Sequence, residues 1–423
     1  MSDLKVLIVG ASIAGPMAAY WFAKAGADVT VIERFPELRS GGQNIDIRLT
    51  GVTVMRKIPG MEEAVRATLA PEEGFGMVNS KGTPIAIMRG TGNAEQQSLL
   101  SEFEIFRGDL SRVIFDLTKD NDKVKYVFGE QIASMEQQGD GPVKVTFING
   151  LPNAEYDLVV ACDGATSRTR AMGLECGTRD HINSIGAWVA YFSIKKDLLN
   201  GGKVALGVSA PGGINVSVGP DSLPGHNRAM LWSSHQNPDD PGMLEFRQAQ
   251  KSGEEAIKQL AAKRFTGSGW RTEEVLEGMW KSNDFYASEL CQVKTPSLFK
   301  GRFVLVGDAG YATGPTGTGT SLAIGGAYVL AGEIHRHKGD LTAGLKAYEE
   351  RMRPIIKDMQ VVPPGVLTFM APQTAWGISI RNLIFRFVCW GMQLGTAMSW
   401  LISFWSAGFG KDKYNLPDYE WSE

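Results

Sequence analysis

The sequence predicts an α/β protein with a Rossmann-like nucleotide-binding domain, an inserted β-rich domain and a C-terminal helical region. The chain opens with alternating elements: the strand LKVLIVG, a helix over 14–25, and the strand DVTVIE. Two later apolar runs, YDLVVACDG at 156–164 and FVLVG at 303–307, are typical of strands buried on both faces. Between them, short and partly alternating runs separated by Gly, Pro and Asp indicate antiparallel strands at 186–194, 203–210, 214–220 and 228–235.

These segments predict a discontinuous domain organisation. The nucleotide-binding domain is expected to combine residues 1–75, 101–180 and 285–362. The β-rich domain is expected to combine 76–100 with 181–284, including a helix at 254–265. The tandem prolines at 363–364 interrupt the chain and mark the start of a helical region over 363–423.

Composition excludes several classes of function. The 423 residues are 43% hydrophobic and 21% charged, as in an ordinary globular protein, and the net charge of −3 argues against nucleic acid as a partner. The four cysteines and five histidines lack metal-ligand spacing, so we expect no metal site.

No signal sequence precedes the first strand, and we expect a cytoplasmic protein. Residues 387–410 carry no charge; a helix packed on the body is favoured, with membrane contact as the alternative.

The first motif, GASIAG, follows the first strand. Gly10 allows a tight turn, Gly15 allows close packing of helix and strand, and Ser12 stands where a second glycine is usual. The helix then presents free backbone N–H groups to a pyrophosphate. Glu33 ends the second strand, where its carboxylate can accept both hydroxyls of an adenosine ribose, and Arg34 beside it is a further candidate. This motif fits FAD and NAD equally well.

The second motif begins at Asp308, directly after the strand FVLVG. The loop 310–319 is rich in Gly and Thr, and a helix is expected to begin near Thr320. An acid at a strand end can accept a hydrogen bond from the ribityl chain of a flavin, and a loop without bulk can pass close to the ring edge. The N–H groups of the helix would then face the pyrimidine end of the ring, with Gly317 and Gly319 along its border. This motif therefore favours FAD.

Taken together, the chain resembles the class A FAD-dependent monooxygenases, the group of para-hydroxybenzoate and salicylate hydroxylases. The pattern is most similar to the tetracycline-inactivating and fungal secondary-metabolite monooxygenases. Three motifs carry the resemblance across roughly residues 4–360: GASIAG with Glu33, CDGATSRTR at 162–170, and VGDAGYATGPTGTG. Two departures concern the last motif, where Tyr311 replaces a common histidine and the segment 315–319 is one residue short.

The resemblance implies further site residues. Asp163 in CDGATSRTR would contact FAD and the nicotinamide donor, Asp46 would contact the flavin, Arg107 would bind FAD, and Arg39 would contact the donor. Each has a simpler interpretation: a helix cap for Asp163, a turn cap for Asp46, a helix-start ion pair for Arg107, and a solvated charge for Arg39.

The activity that the resemblance implies is monooxygenation with FAD as cofactor, NADPH or NADH as co-substrate, and O₂. The flavin carries the chemistry, so no separate catalytic side chain is implied. An apolar aromatic, polyketide-like or terpenoid-like small molecule is the expected substrate and hydroxylation the expected reaction. Epoxidation, Baeyer–Villiger insertion, and reduction or dehydrogenation without oxygen transfer are alternatives, as is a cofactor-free binding protein on the same fold. Trp188, Tyr191 and Trp232 on the predicted strands are pocket candidates, with burial in the core as the alternative.

Overall fold

The structure is a computed structural model that describes residues 4–39, 41–89, 101–235, 237–362, 365–393 and 412–421. Its strands are, in chain order, β1 (Lys5–Val9), β2 (Asp28–Glu33), β3 (Asn44–Asp46), β4 (Gly74–Val78), β5 (Pro84–Arg89), β6 (Glu104–Phe106), β7 (Val124–Phe128), β8 (Ile132–Gln137), β9 (Val143–Phe147), β10 (Ala154–Tyr156), β11 (Leu158–Ala161), β12 (Ile182–Ile194), β13 (Val204–Ala210), β14 (Ile214–Pro220), β15 (Asn227–Ser234), β16 (Tyr286–Val293), β17 (Phe299–Lys300) and β18 (Phe303–Leu305).

The helices, in chain order, are α1 (Ala14–Lys24), α2 (Thr50–Met55), α3 (Met61–Ala67), α4 (Arg107–Asp116), α5 (Arg168–Leu174), α6 (Pro241–Ser252), α7 (Glu254–Phe265), α8 (Thr272–Lys281), α9 (Asp308–Tyr311), α10 (Gly319–Arg336), α11 (Leu341–Met359), α12 (Val366–Met370) and α13 (Ala375–Gln393).

A six-stranded sheet in the order β17-β18-β11-β1-β2-β7 forms the centre of the nucleotide-binding part. All its strands are parallel except β17. Val6, Leu7 and Ile8 of β1 are fully buried because both faces of the sheet are covered, which explains the uninterrupted apolar run in the sequence. The carboxyl ends of β1, β2 and β18 lie at one edge, where ligands of open α/β sheets bind.

A seven-stranded sheet in the order β16-β12-β15-β14-β13-β4-β5 forms the β-rich part. Its pairings are antiparallel except β13 with β4. On one face the core side chains Val216 and Leu231 pack with Phe246 of α6 and Phe265 of α7. The other face carries Trp232 and Tyr286, and Tyr286 reaches the nucleotide-binding part. Because side chains alternate along each strand, the sheet has one core face and one face directed at the site.

The predicted fold class is confirmed, and the observed elements lie close to their expected positions. β14 spans 214–220 and α7 spans 254–265, as the sequence predicts, whereas β12 begins four residues before the predicted 186. The three-stranded sheet β10-β9-β8 has no counterpart in the prediction, because its strands are half exposed and carry little apolar periodicity. The division into folding domains stays a prediction.

The C-terminal part contacts both sheets. Phe385 and Cys389 of α13 pack on Met77 and Met88 of the seven-stranded sheet. Residues 412–421 return to the nucleotide-binding part. No helix within the described ranges is long and apolar enough to cross a membrane. Pro363, Pro364 and most of the uncharged stretch 387–410 lie outside the described residues, so the expectation about membrane contact stays a prediction.

Candidate cofactor and substrate site

Two glycines make the turn between β1 and α1. Gly10 has φ +105°, and a Cβ there would lie 2.6 Å from the carbonyl oxygen of Cys162. A Cβ on Gly15 would lie 1.9 Å from the carbonyl oxygen of Gly10, so only glycine permits this approach of helix to strand. No side chain caps α1, which leaves N–H groups of its first turn for an anion.

Glu33 lies at the adjacent strand end. Its carboxylate accepts hydrogen bonds from the backbone N–H of Ala11 (2.9 Å) and of Phe35 (3.1 Å). These two bonds orient the carboxylate beside the turn, and each oxygen keeps a lone pair for a ligand hydroxyl. Arg34 is exposed, with its guanidinium 4.9 Å from the ring centre of Phe35.

A cleft lined by Ser12, Arg39, Gly42, Arg107 and Tyr286 continues from this turn. The Arg39 guanidinium lies between two aromatic rings, 5.0 Å from the centre of Phe35 and 4.8 Å from that of Tyr286. Burial and the neighbouring Arg107 lower the pKa of Arg39. Two guanidinium groups converging on one cleft fit an anionic ligand such as a phosphate.

Asp308 follows Gly307 at the carboxyl end of β18 and is the first residue of α9. Its side chain is exposed to solvent, yet protein surrounds it so closely that burial raises the pKa of its carboxyl. The guanidinium of Arg107 lowers the same pKa. The Asp308 carboxyl is therefore accessible to a ligand and is influenced by the charge of an arginine that lines the cleft.

The loop after α9 brings Gly317 and Gly319 to this position. A Cβ on Gly317, where φ is +73°, would lie 3.4 Å from Oδ2 of Asp46, and one on Gly319 would lie 3.6 Å from Oδ1 of Asp308. The helix α10 begins at Gly319 without a side-chain cap, and Thr320 is half-buried in its first turn. The loop therefore places two carboxylates and an open helix N-terminus around one space.

Asp46 lies in β3 and is not a turn cap. It forms an ion pair with Arg48 at 3.1 Å, and the Arg48 side chain is 1% exposed. Burial raises the pKa of Asp46, while the Arg48 guanidinium lowers it. The ion pair thus holds the Asp46 carboxylate beside Gly317.

Asp163 makes the helix-capping contacts of its simpler interpretation, and its contact with FAD stays a prediction. Its carboxylate accepts hydrogen bonds from the hydroxyl of Ser167 and from the backbone N–H (3.2 Å) and hydroxyl (2.9 Å) of Thr169. Both oxygens are therefore engaged at the N-terminus of α5, which makes Asp163 a helix-capping residue. Its Cα also borders the first turn, 3.2 Å from the position that a Cβ on Gly10 would take.

Trp188 is not a pocket residue. Strand alternation places it on the core face of the seven-stranded sheet, 1% exposed, with its ring stacked on Phe246 at 4.8 Å. Tyr311, at the position of the family histidine, is also a core residue. Its hydroxyl lies 3.1 Å from that of Tyr348, and a Cβ on Gly326 would lie 2.0 Å from the same hydroxyl.

Arg170 is a positioning residue that the sequence reasoning missed. It is fully buried and donates hydrogen bonds to the carbonyl oxygens of Ala309 (2.8 Å) and Thr178 (2.9 Å). Because Ala309 follows Asp308, Arg170 connects the CDGATSRTR segment to the second carboxylate. In the sequence, its place as the final arginine of this motif could have indicated that role.

The site-directed face of the seven-stranded sheet lies beyond the cleft. Tyr191 and Tyr286 are paired in register across β12 and β16, and Trp232 is paired with Val189 across β15 and β12. Ala371, just after α12, packs against Val189 and Trp232. Two of the three pocket candidates, Tyr191 and Trp232, therefore share this face, which is apolar around Val189 and Ala371.

Comparison with known proteins assigns the chain to a family. The FAD binding domain family matches residues 3–361. The chain belongs to this family. It is an FAD-dependent monooxygenase. One relative, the FAD-dependent monooxygenase asL4 of Sarocladium schorii, is 32% identical and each chain is covered to 99%. A flavin-dependent monooxygenase of Legionella longbeachae is 33% identical over 84% of this chain and 86% of its own.

Among solved structures, the tetracycline destructase Tet(51) superposes on this monooxygenase with a TM-score of 0.78 at 27% identity, covering 99% of this chain and 100% of the other. The residues present fit FAD. The cradle made by Gly10 and Gly15 admits no Cβ, and the cleft offers the guanidinium groups of Arg39 and Arg107 for phosphates. Glu33 and Asp308, at strand ends, offer carboxylates for hydroxyls. When bound, FAD supplies the electron transfer and oxygen activation that no side chain provides.

Proposed function

We propose that this monooxygenase hydroxylates an apolar aromatic, polyketide-like or terpenoid-like small molecule, with NADPH or NADH as the electron donor. The observation that carries the proposal is the apolar face of the seven-stranded sheet, where Val189, Trp232 and Ala371 pack together next to the cofactor cleft. Tyr191 on the same face is half-buried and enclosed by protein, and burial strongly raises the pKa of its phenol. Such a surface removes water from a bound apolar molecule.

The cofactor would be held from three sides. The first-turn N–H groups of α1 with Gly10, Ser12 and Gly15 would bind the pyrophosphate, and Glu33 with Arg34 would lie at the adenosine ribose. Arg107 would contact the phosphates, and Asp308 would accept a hydrogen bond from a ribityl hydroxyl.

The isoalloxazine would lie along the loop that ends at α10. Gly317, Gly319 and Thr320 would border the ring, and the uncapped N-terminus of α10 would face negative charge on it. Asp46 would lie beside the ring at Gly317. These residues orient the cofactor and exclude water, and none exchanges a proton with substrate in this proposal.

For the electron donor we propose Arg39. Its guanidinium is positioned by Phe35 and Tyr286 at the open side of the cleft, next to Arg107. A fixed guanidinium there can pair with a pyrophosphate of the dinucleotide.

The test uses the purified yellow holoenzyme with NADPH or NADH and ¹⁸O₂. A panel of apolar phenols, polyenes and cyclic ketones is incubated, and products are identified by mass spectrometry. A product heavier by one labelled oxygen, with skeleton and double bonds retained, supports hydroxylation. A labelled epoxide or lactone would replace hydroxylation by epoxidation or Baeyer–Villiger insertion, and reduced products without label would refute oxygen transfer to this panel.

A further inference from the structure

Trp232 has a buried hydrogen-bond donor without an acceptor among the described residues. The residue is 4% exposed, and no atom in the described part of the chain accepts from its indole Nε1–H. An indole N–H can only donate, and leaving it unpaired in the interior is costly. Because Trp232 lies on the site-directed face of the sheet, a bound molecule can supply the missing acceptor.

Arg381 of α13 is a second unusual donor on the same side. It is 6% exposed and donates hydrogen bonds to Oδ1 of Asn382 (2.9 Å) and Oγ of Ser209 (3.0 Å). Within the described ranges no acidic residue forms a salt bridge with it, and burial lowers the pKa of Arg381 to about 10. A buried guanidinium without a counter-ion is unfavourable, so an anion placed there would be strongly attracted.

The hydrogen bonds of Arg381 lead to the strand that is paired with the strand of Trp232. Oγ of Ser209 also accepts from Nδ2 of Asn215 (3.1 Å), and Asn215 lies directly opposite Trp232 in the β14–β15 pairing. Because Ser209 already accepts two hydrogen bonds, its own hydroxyl proton remains to be donated. Oδ1 of Asn215 is engaged by the hydroxyl of Ser217 (2.7 Å). Arg381, Ser209 and Trp232 therefore present three donors on one side of the sheet, and the Trp232 N–H has no acceptor among the described residues.

We propose that Arg381, Ser209 and Trp232 form a subsite for one anionic oxygen of the substrate, a phenolate or an enolate. The inference rests on the proposed function, because the remainder of such a molecule would lie on the apolar face around Val189 and Ala371. A phenol or enol oxygen joins a conjugated skeleton directly, so its charge can meet the guanidinium while the ring stays on the apolar wall. The guanidinium stabilises the ionised form, so the oxygen binds as the anion.

The test measures binding to the holoenzyme with three probes. 7-Hydroxycoumarin carries an acidic phenol, 7-methoxycoumarin has the same shape without the acid, and coumarin-3-carboxylate carries its negative charge on a carboxylate. Dissociation constants come from fluorescence titration, and the absorption spectrum reports how much bound 7-hydroxycoumarin is ionised. We expect the phenol to bind about tenfold or more tightly than its methyl ether, and to bind as the phenolate at a pH where it is neutral in solution.

Variants assign the preference to the subsite. Arg381→Met is expected to abolish both the preference and the spectral shift, Trp232→Phe to weaken the phenol alone, and Arg381→Lys to retain part of the preference. Arg386→Met, an exposed arginine on the same helix, is the matched control and is expected to behave as wild type. FAD content verifies that each variant is folded.

The proposal is overturned if the wild-type protein shows no preference for the phenol. It is also overturned if yellow Arg381→Met protein keeps the full preference, or if Arg381→Lys and Trp232→Phe proteins both keep it. Arg381-dependent binding that favours the carboxylate probe over the phenol would overturn the phenolate assignment. None of these outcomes depends on turnover. An enzyme that binds the phenolate through Arg381 yet oxygenates no compound of the panel would retain the subsite and lose the proposed reaction.

Discussion

The charge of Arg107 acts on the carboxylate of Asp308, and no described basic residue forms a salt bridge with Asp308. Burial without such a partner raises the pKa of the carboxyl, and Arg107 opposes the effect only from a distance. The carboxylate is thus available to a ligand hydroxyl, and we expect the protein's affinity for FAD to depend on this single side chain.

Replacing Asp308 by Ala is expected to weaken FAD binding about tenfold or more, because hydrogen bonds to a charged group contribute about 1.5–3 kcal/mol. The measurement is the dissociation constant of FAD on the apoprotein by flavin fluorescence, with circular dichroism as the check of folding. Asp239→Ala, an exposed aspartate before α6, is the matched control. A fully yellow Asp308→Ala protein with unchanged affinity would contradict the assignment.

Arg39 differs from Arg107 in its surroundings, since aromatic rings hold its guanidinium on both sides. Removing it with Arg39→Ala is expected to raise KM for NADPH or NADH about tenfold while FAD content stays normal, because one charge-assisted contact to the dinucleotide is lost. Stopped-flow reduction of the flavin measures this directly. Arg112→Ala, an exposed arginine on α4, serves as control, and unchanged reduction kinetics in Arg39→Ala would remove Arg39 from the donor site.

At the scale of elements, the segment 412–421 packs across α1 and α10. Trp421 stacks on Trp21 with ring centres 4.9 Å apart, and the Tyr419 hydroxyl donates to buried Glu333 at 2.7 Å. Leu416 is buried near Gly325. This contact fastens the C-terminal segment to the helix whose N-terminus lies at the proposed ring site, so stability and cofactor binding are expected to be coupled.

The prediction at this scale concerns Tyr419, which is 8% exposed and lies against Gly332. Tyr419→Ala is expected to lower the free energy of unfolding by about 3 kcal/mol, because a buried aromatic side chain is lost and Glu333 loses a donor. Urea unfolding measures the change. Glu420→Ala, an exposed neighbour, is expected to change it by less than about 0.5 kcal/mol. Equal stabilities of the two variants would show that the segment contributes little.

At the scale of the whole molecule, two glutamates lie where the two main parts meet. Nδ2 of Asn44 donates to Oε2 of Glu72 (3.1 Å) and to Oε1 of Glu104 (3.4 Å). Glu72 precedes β4 of the seven-stranded sheet, and Glu104 is paired with Asp46 across β6 and β3. Burial, followed by the neighbouring carboxylates, raises the pKa of both glutamates well above 4.5.

A raised pKa means that the folded protein binds more protons than the unfolded chain between about pH 5 and pH 8. The stabilisation from these two glutamates is therefore complete below their pKa in the unfolded chain and is expected to decrease as the pH rises through that window. The free energy of unfolding should fall by up to about 1.4 kcal/mol per pH unit for each excess proton that the folded protein binds. Glu72→Gln and Glu104→Gln should flatten the dependence, as followed by urea unfolding at several pH values. Glu73→Gln, an exposed neighbour, should retain it. A Glu72→Gln slope equal to wild type would contradict the prediction.

The sequence by itself determined the local chemistry of this protein. The glycines and acids of GASIAG and GDAGYATGPTGTG occupy turns whose geometry depends on neighbours along the chain, so Gly10, Glu33 and Asp308 could be placed without coordinates. The strand pattern also predicted the β-rich sheet, because apolar and polar residues alternate along a strand with one buried face.

Only the tertiary structure decided which side chains meet. Trp188 and Trp232 are both aromatic residues on neighbouring strands, but register places one in the core and the other toward the site. Asp163 caps α5, Arg170 reaches Ala309, and Arg381 approaches Ser209 through contacts between segments far apart in the chain. These contacts depend on how elements that are far apart in the sequence pack together. A local pattern of residues does not contain that information.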